Sequence, residues 1–316
     1  MVFSTLQKYV VHILRGRKFF CVLPAFLWVM VRVFAVLGDP ISHSLSPVMH
    51  NAAFRSLGME DCVYHAFRVP RGCLRDALLG ARAMGFGGVN LTIPLKEEAV
   101  RLVEPVGIAS LMGSVNTVEF KGGEMFGHST DGIGASLALR RGGVDVEGRR
   151  VVLVGAGGAG RAIAFQLVME GADIVFIVNR NRQRAVTLAQ EIAGKKDALE
   201  GIVGRPLDGV EVCACGLDGL SRVLGEAEVL INATSVGMKK WESVVPARYL
   251  RRGLVVFDIV YNPRETRLLR DARERGCQVI EGVWMLVYQG AESFRIWTGV
   301  SPPVEVMEEA VRSALG

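Results

Sequence analysis

The sequence predicts an α/β fold with a largely parallel sheet, and three observations carry that prediction. Short apolar runs alternate with helical spacing from residue 31 to residue 281. One of them, VVLVGAGGAGRAIAFQLVMEGA (151–172), compresses a strand, a glycine turn and a helix into 22 residues. The composition, 50% hydrophobic and 22% charged over 316 residues, is that of a folded chain long enough for two cores.

The elements follow in order. VRVFAVLG (31–38) reads as a strand closed by Gly38, Asp39 and Pro40, and helical spacing runs from Pro47 to Leu57. His65 to Val69 alternates as a second strand, Gly72 to Met84 reads as a helix, and GGVNLTI (87–93) is a third strand stopped by Pro94. LKEEAVRLV (95–103) predicts a restarted helix. SLMGSVNTVEF (110–120) and KGGEMFGHSTDG (121–132) predict a strand, a Gly-Gly hairpin and a returning strand. A helix over 132–140 leads to the glycine-turn unit. Beyond it come the strand DIVFIVNR (173–180), a helix over 181–192, an irregular stretch with VEVCACG (210–216), and the strands AEVLINATSVG (227–237) and LVVFDIVYNP (254–263). A charged helix, DARERG (271–276), and a short strand, CQVIEG (277–282), close this series. The final segment, with a helix in PVEVMEEAVRSAL (303–315), has no strand partners of its own and is expected to return to the first domain.

Charge and cysteine usage narrow the class. A net charge of +5 does not mark a nucleic-acid binder and suits a small anionic ligand. The six cysteines form no C-x-x-C pair and no close set with histidine, which argues for a reduced, cytoplasmic chain with no zinc or disulfide framework. The N-terminus is the awkward piece. Lys8, His12, Arg15, Arg17 and Lys18 precede an apolar run, Phe19 to Val31, of 13 residues interrupted by Pro24. A bilayer span needs roughly 20 residues, and no small-x-small cleavage site follows. Residues 1–30 therefore read as an extension dispensable for catalysis, with a surface-lying helix and an anchor as the other readings.

Gly155, Gly157 and Gly160 form G-x-G-x-x-G between an apolar strand and a helix, the context in which backbone approaches a pyrophosphate at a helix N-terminus. This is the signature of a Rossmann-type domain. The next strand ends not in an acidic residue but in Asn179-Arg180, with Arg182 and Arg184 beyond. A carboxylate would repel a ribose 2′-phosphate and a guanidinium can fork onto it, so the pattern selects NADP over NAD. In the first domain, Ser44 and Ser46 stand at a helix start, where an anion is favoured. Asn90, Thr92 and Lys96, Asn116-Thr117 and Thr130-Asp131 each look bland alone. Jointly they put hydroxyl, amide, ammonium and carboxylate groups at strand ends around one region.

With these residues in view, the chain resembles the shikimate dehydrogenase family. The resemblance spans about residues 31 to 300 and rests on ordered stretches: GDPISHSLSPVMHN, VNLTIPLK, GSVNTV, STDG, VLVGAGGAGRA, NRNRQR, NATSVGM, DIVYNPRET and GVWMLVYQGAESFRIWTG. It implies a substrate-binding domain over 31–131 completed by 282–316, an NADP-binding Rossmann domain over 132–281, and a cleft between them. It implies that Ser44 and Ser46 hold a substrate carboxylate with Tyr261 nearby, and that Thr92, Asn116, Asp131 and Gln289 contact ring hydroxyls. Lys96 would be the catalytic lysine, with Asp131 orienting it and relaying a proton. Cofactor contacts would fall on Gly155, Ala156, Gly157, Gly158, Ala159, Gly160, Asn179, Arg180, Arg184, Thr234, Ser235, Gly282 and Met285. The implied reaction is reversible reduction of 3-dehydroshikimate to shikimate by NADPH, in the route to chorismate and the aromatic amino acids. No metal is called for, and a cytoplasmic monomer or homodimer is expected. A quinate- or NAD-using dehydrogenase and a non-catalytic nucleotide-binding protein are the alternatives. The chain departs from the family at Ser129, where an asparagine is usual, which questions the packing of the domain junction rather than the reaction.

Overall fold

The computed structural model describes residues 12–14, 17–19 and 31–316. The first two segments form an antiparallel pair, β1 (His12–Leu14) and β2 (Arg17–Phe19), with His12 opposite Phe19. It belongs to a unit of its own, separate from Arg32–Gly316. The expected extension lies otherwise outside the described residues. No described helix is long and apolar enough to cross a membrane.

The larger unit is built on two six-stranded sheets. The first comprises β3 (Arg32–Gly38), β4 (Cys62–Arg68), β5 (Gly88–Leu91), β6 (Glu104–Pro105), β7 (Thr117–Lys121) and β8 (Glu124–His128), in the order β4-β3-β5-β7-β8-β6. Strands β4, β3 and β5 run parallel, and the hairpin β7–β8 joins them antiparallel through β7. The second comprises β9 (Arg150–Val154), β10 (Ile174–Val178), β11 (Glu211–Cys215), β12 (Val229–Asn232), β13 (Val255–Asp258) and β14 (Gln278–Glu281), all parallel. Its order, β11-β10-β9-β12-β13-β14, reverses direction at β9, and ligands bind at such a switch point. Val151 to Val154 are all buried, as expected of a central parallel strand covered on both faces.

Two helices connect the sheets. Asp131–Arg141 leads from the first into the second, and Gly282–Thr298 leads back from the end of β14. They pack so closely that a Cβ on Gly134 would stand 2.8 Å from Cβ of Gln289 and 2.9 Å from its backbone nitrogen, leaving room only for glycine. The returning helix is fixed on the first sheet by Trp297, whose indole N–H donates to the carbonyl of Val118 at 3.0 Å. The last helix, Val304–Leu315, buries Met307 and Val311 in one cluster with Met49, Ala53 and Phe54 of the helix Ser46–Ser56. The C-terminal segment therefore packs on the first sheet's side.

Three local expectations need correction. Residues 95–103 form no α-helix but a single 3₁₀ turn, Ala99–Arg101. The Lys96 carbonyl, which a helix would pair four residues on, accepts from the Val115 amide at 3.0 Å. SLM (110–112) belongs to a short helix, Ile108–Met112, ended by Gly113 in the left-handed conformation, so the strand starts only at Thr117. The stretch read as irregular contains the helix Lys196–Val203, of which Leu199 is buried, and VEVCACG within it forms the edge strand β11, paired parallel with β10. The apolar residues of that helix, Ala198, Leu199, Ile202 and Val203, recur at helical spacing, so its signal is present in the sequence.

Candidate active site

A cleft of about 790 Å³ opens between the C-terminal ends of the two sheets. Lys96 reaches it from the turn after β5, where Leu95, fully buried, anchors the chain and the Leu95 amide donates to the Thr92 carbonyl at 2.8 Å. Its Nζ lies 2.5 Å from Oδ2 of Asp131. Asp131 is the first residue of the helix Asp131–Arg141, where the helix dipole favours a carboxylate, and it is 3% exposed. Its other oxygen, Oδ1, accepts from Asn116 Nδ2 at 3.0 Å.

The orientation of Asn116 follows from chemistry. Its Oδ1 accepts from the Thr130 backbone N–H at 2.7 Å, and an amide N–H can only donate, so Nδ2 must face Asp131 and, at 3.3 Å, Oε1 of Gln289. A second tier lies beneath. Tyr64 donates its hydroxyl to Oδ1 of Asn90 at 2.7 Å, and Asn90 Nδ2 donates to Thr117 Oγ1 at 3.0 Å and Ser293 Oγ at 2.9 Å. Burial pushes the Tyr64 phenol well above its usual range, so it stays a donor. Buried amides with every bond made hold the Lys96–Asp131 pair in one place.

At the other end of this wall, Ser44 and Ser46 flank the start of the helix Ser46–Ser56. No side chain caps that helix, and the Ser46 amide makes a long 3.4 Å bond to Ser44 Oγ. Tyr261 joins them from the loop after β13. Burial pushes its phenol up.

The opposite wall is the glycine turn. Gly155 has φ +117°, and a Cβ on Gly160 would lie 2.1 Å from the Gly155 carbonyl oxygen, so neither position accepts a side chain. A Cβ on Gly157 would meet nothing within 4 Å, which leaves open space against the uncapped N-terminus of the helix Gly158–Met169. Backbone donors beside such space fit a pyrophosphate. Asn179 accepts from the Ala156 amide at 3.3 Å, tying the end of β10 to the turn. Thr234 is held by Asn232 Oδ1, which accepts its N–H at 3.1 Å and its hydroxyl at 2.7 Å.

Ser44, Ser46, Thr92, Lys96, Asp131, Tyr261 and Gln289 all line this cleft, as do Gly155, Ala156, Gly157, Gly158, Ala159, Asn179, Arg184, Thr234, Ser235 and Met285. Four residues expected to touch ligand stand elsewhere. Asn116, 2% exposed, lies behind Asp131 and Gln289 and donates to both. Gly160 is consumed by the tight turn. Gly282 lets its helix approach β13, since a Cβ there would lie 2.5 Å from the Ile259 carbonyl oxygen. Arg180 is exposed outside the wall, whereas Arg184 is part of it. Sequence reading missed His43, Arg71, Glu97 and Met238 in the wall. His43 adjoins Ser44 and Glu97 adjoins Lys96, which are the positional hints in the sequence. The Ser129 hydroxyl is buried without a partner among the described residues.

Comparison with known proteins agrees with this geometry. Residues 36–118 match the family model "Shikimate dehydrogenase substrate binding domain", 136–268 match "Shikimate / quinate 5-dehydrogenase", and 282–312 match "Shikimate 5'-dehydrogenase C-terminal domain". A relative from Methanosarcina mazei, shikimate dehydrogenase (NADP(+)), is 54% identical over 291 residues, covering 90% of this chain and 99% of its own. Among solved structures, a shikimate dehydrogenase in complex with NADP+ superposes with a TM-score of 0.81 at 40% identity, over 90% of this chain and 96% of that one. The Thermus thermophilus shikimate 5-dehydrogenase in complex with NADP(H) and shikimate gives 0.78 at 40% identity, over 90% of this chain and 100% of that one. With two sheets, a shared cleft and matches along most of its length, the chain belongs to the shikimate dehydrogenase family.

Proposed function

We propose that this chain catalyses the reversible NADPH-dependent reduction of 3-dehydroshikimate to shikimate. The observation that carries the reading is the Lys96–Asp131 pair, held at 2.5 Å on the cleft wall facing the glycine turn. Residues 31–131 with 282–316 serve as the substrate-binding domain and 132–281 as the NADP-binding domain. Nicotinamide bound in this cleft supplies the hydride.

The chain's own groups do the rest. Ser44, Ser46 and Tyr261 bind the substrate carboxylate, and Thr92 and Gln289 contact ring hydroxyls. As negative charge grows on the carbonyl oxygen, the Lys96 ammonium stabilises it and transfers a proton to it, completing the hydroxyl. Asp131 keeps Nζ aimed and shares the proton left between them, and Asn116 fixes Asp131. In the oxidative direction, neutral Lys96 takes the hydroxyl proton back. The backbone of Gly155 to Ala159 receives the pyrophosphate, with Thr234, Ser235 and Met285 beside the ribose and nicotinamide. Asn179 and Arg184 receive the 2′-phosphate, with Arg180 near enough in sequence to assist. Free cysteines at 62, 73, 213, 215 and 277 suit a cytoplasmic enzyme, acting as a monomer or homodimer.

Initial rates with shikimate or quinate, each with NADP+ or NAD+, test this reading. It expects shikimate with NADP+ to give the highest kcat/KM. Preference for quinate, or for NAD+, would reassign the substrate or the cofactor. Arg184→Ala is expected to raise the Michaelis constant for NADPH about 10-fold or more, the scale of a lost charged hydrogen bond, while that for NADH changes little. The same loss with both cofactors would mean that Arg184 supports the fold instead. Arg180→Ala is expected to show the same selectivity with a smaller effect.

A further inference from the structure

Glu97 is the residue after Lys96 and lines the same cleft, yet nothing in the proposed chemistry uses it. Its Oε1 lies 3.3 Å from Nη2 of Arg184, so an acidic side chain on the first sheet's wall is paired with a basic one from the first turn of the helix Arg182–Ala193. The two side chains are 54% and 53% exposed, and this single contact is the only hydrogen bond of Arg184's side chain among the described residues. A guanidinium with five donors engages an anion best through two parallel bonds. Here it meets one oxygen of a monoanion, at long range, and most of its donors are left for another partner.

The 2′-phosphate of NADP is that partner under the function proposed above, on which this inference rests. A phosphate monoester carries a charge of about −1.5 to −2 and three acceptor oxygens, against one charge and two oxygens on a carboxylate. It outcompetes Glu97 for Arg184. It must still displace that carboxylate and then tolerate it nearby. NAD has no group that claims Arg184, so its binding leaves the ion pair intact.

We propose that Glu97 is a specificity-determining residue that acts through Arg184: its carboxylate holds the 2′-phosphate site in the absence of NADP, ties the two walls of the cleft together there, and lowers the affinity for NADP without affecting that for NAD. Phosphate binding thus exchanges a tie between the walls for a tie to the cofactor. This couples cofactor choice to release of the cleft mouth. The sign of the effect is diagnostic, because removing a residue that merely supported the site would weaken binding, and removing a competitor strengthens it.

Titration calorimetry on the full chain tests this with no turnover involved. Wild type, Glu97→Gln, Arg184→Ala and the double variant are each titrated with NADP+ and with NAD+. Glu97→Gln is expected to lower the dissociation constant for NADP+ about 3- to 5-fold, the scale of one exposed ion pair, and to leave that for NAD+ unchanged. The gain is expected to vanish in the Arg184→Ala background and to shrink in about 1 M salt, where screening acts within about 3 Å. Unchanged or weaker NADP+ binding by Glu97→Gln, equal tightening of both cofactors, or a gain that survives without Arg184 would overturn the proposal. A wild-type chain with no preference for NADP+ over NAD+ would instead overturn the cofactor assignment on which it rests.

Discussion

Lys96→Ala is expected to lose about 100-fold or more in turnover, the scale of a missing general acid, while NADP+ affinity stays within about 2-fold. The separation follows from the layout. Lys96 stands on the first sheet's wall against Asp131, whereas the backbone donors of the glycine turn and Arg184 belong to the other. Asp131→Asn is expected to retain more activity than Lys96→Ala, because the amide keeps an oxygen for Asn116 and the ammonium remains in place, although the group facing Nζ becomes an NH2 donor and both the charge and that hydrogen bond are lost. Steady-state rates paired with a cofactor titration check both. Near-normal turnover of Lys96→Ala would remove that lysine from the mechanism.

The second large effect is on acid stability and resides in His50. Its ring is completely buried, stacked on Tyr64 with centroids 4.4 Å apart and flanked by Phe54, Phe294 and Trp297. Neither ring nitrogen has a hydrogen-bond partner among the described residues. Burial pushes its pKa down from 6.5 to about 3. A depressed folded value means that the unfolded chain binds the proton first. The stability associated with neutral His50 is complete above pH 6.5 and is lost as pH falls towards 3, at about 1.4 kcal/mol per pH unit.

Asp258 opposes this. It is buried at the end of β13, and although Thr266, the Val260 amide and Asn232 donate to it, burial raises its carboxyl from 3.8 to about 6. A raised folded value contributes stability that is complete below 3.8 and lost as pH rises through 6, so Asp258 gains between pH 6 and 4 much of what His50 loses. These two groups together predict a nearly flat stability profile over that interval. His50→Phe keeps an aromatic ring in the stack and removes the titration. Its stability relative to wild type is expected to improve by about 3 kcal/mol between pH 7 and pH 4, read from urea midpoints. A difference independent of pH would show that His50 is solvated or charged in the folded chain.

Much of the architecture was legible because it is written in local patterns. Val151 to Val154 followed by Gly155, Gly157 and Gly160 admits few readings other than a buried parallel strand turning into a helix. The basic residues after β10 pointed to a phosphate, and the strand-end position of Lys96 pointed to the cleft. The failures are non-local. The helix expected over residues 95–103 is prevented by Val115, whose amide takes the Lys96 carbonyl from across the sheet. Asn116 and Asp131 look alike as polar residues near strand ends, and only the packing of the helices Asp131–Arg141 and Gly282–Thr298 buries the first behind the second. Arg180 and Arg184 were equal candidates in sequence. Helical geometry turns only the second into the cleft wall, opposite a glutamate whose role could not be read from its neighbour Lys96.

The central claim is that one cleft brings the Lys96–Asp131 pair and the glycine turn to bear on the same substrate. A crystal structure of the chain with NADP+ and shikimate tests it most directly. The account predicts the oxidisable ring hydroxyl within about 2.6–3.2 Å of Lys96 Nζ or an Asp131 oxygen, the substrate carboxylate at Ser44 and Ser46, and the 2′-phosphate on Arg184. Shikimate bound with its ring hydroxyls beyond hydrogen-bond reach of both Lys96 and Asp131, or a 2′-phosphate remote from Arg184, would contradict it.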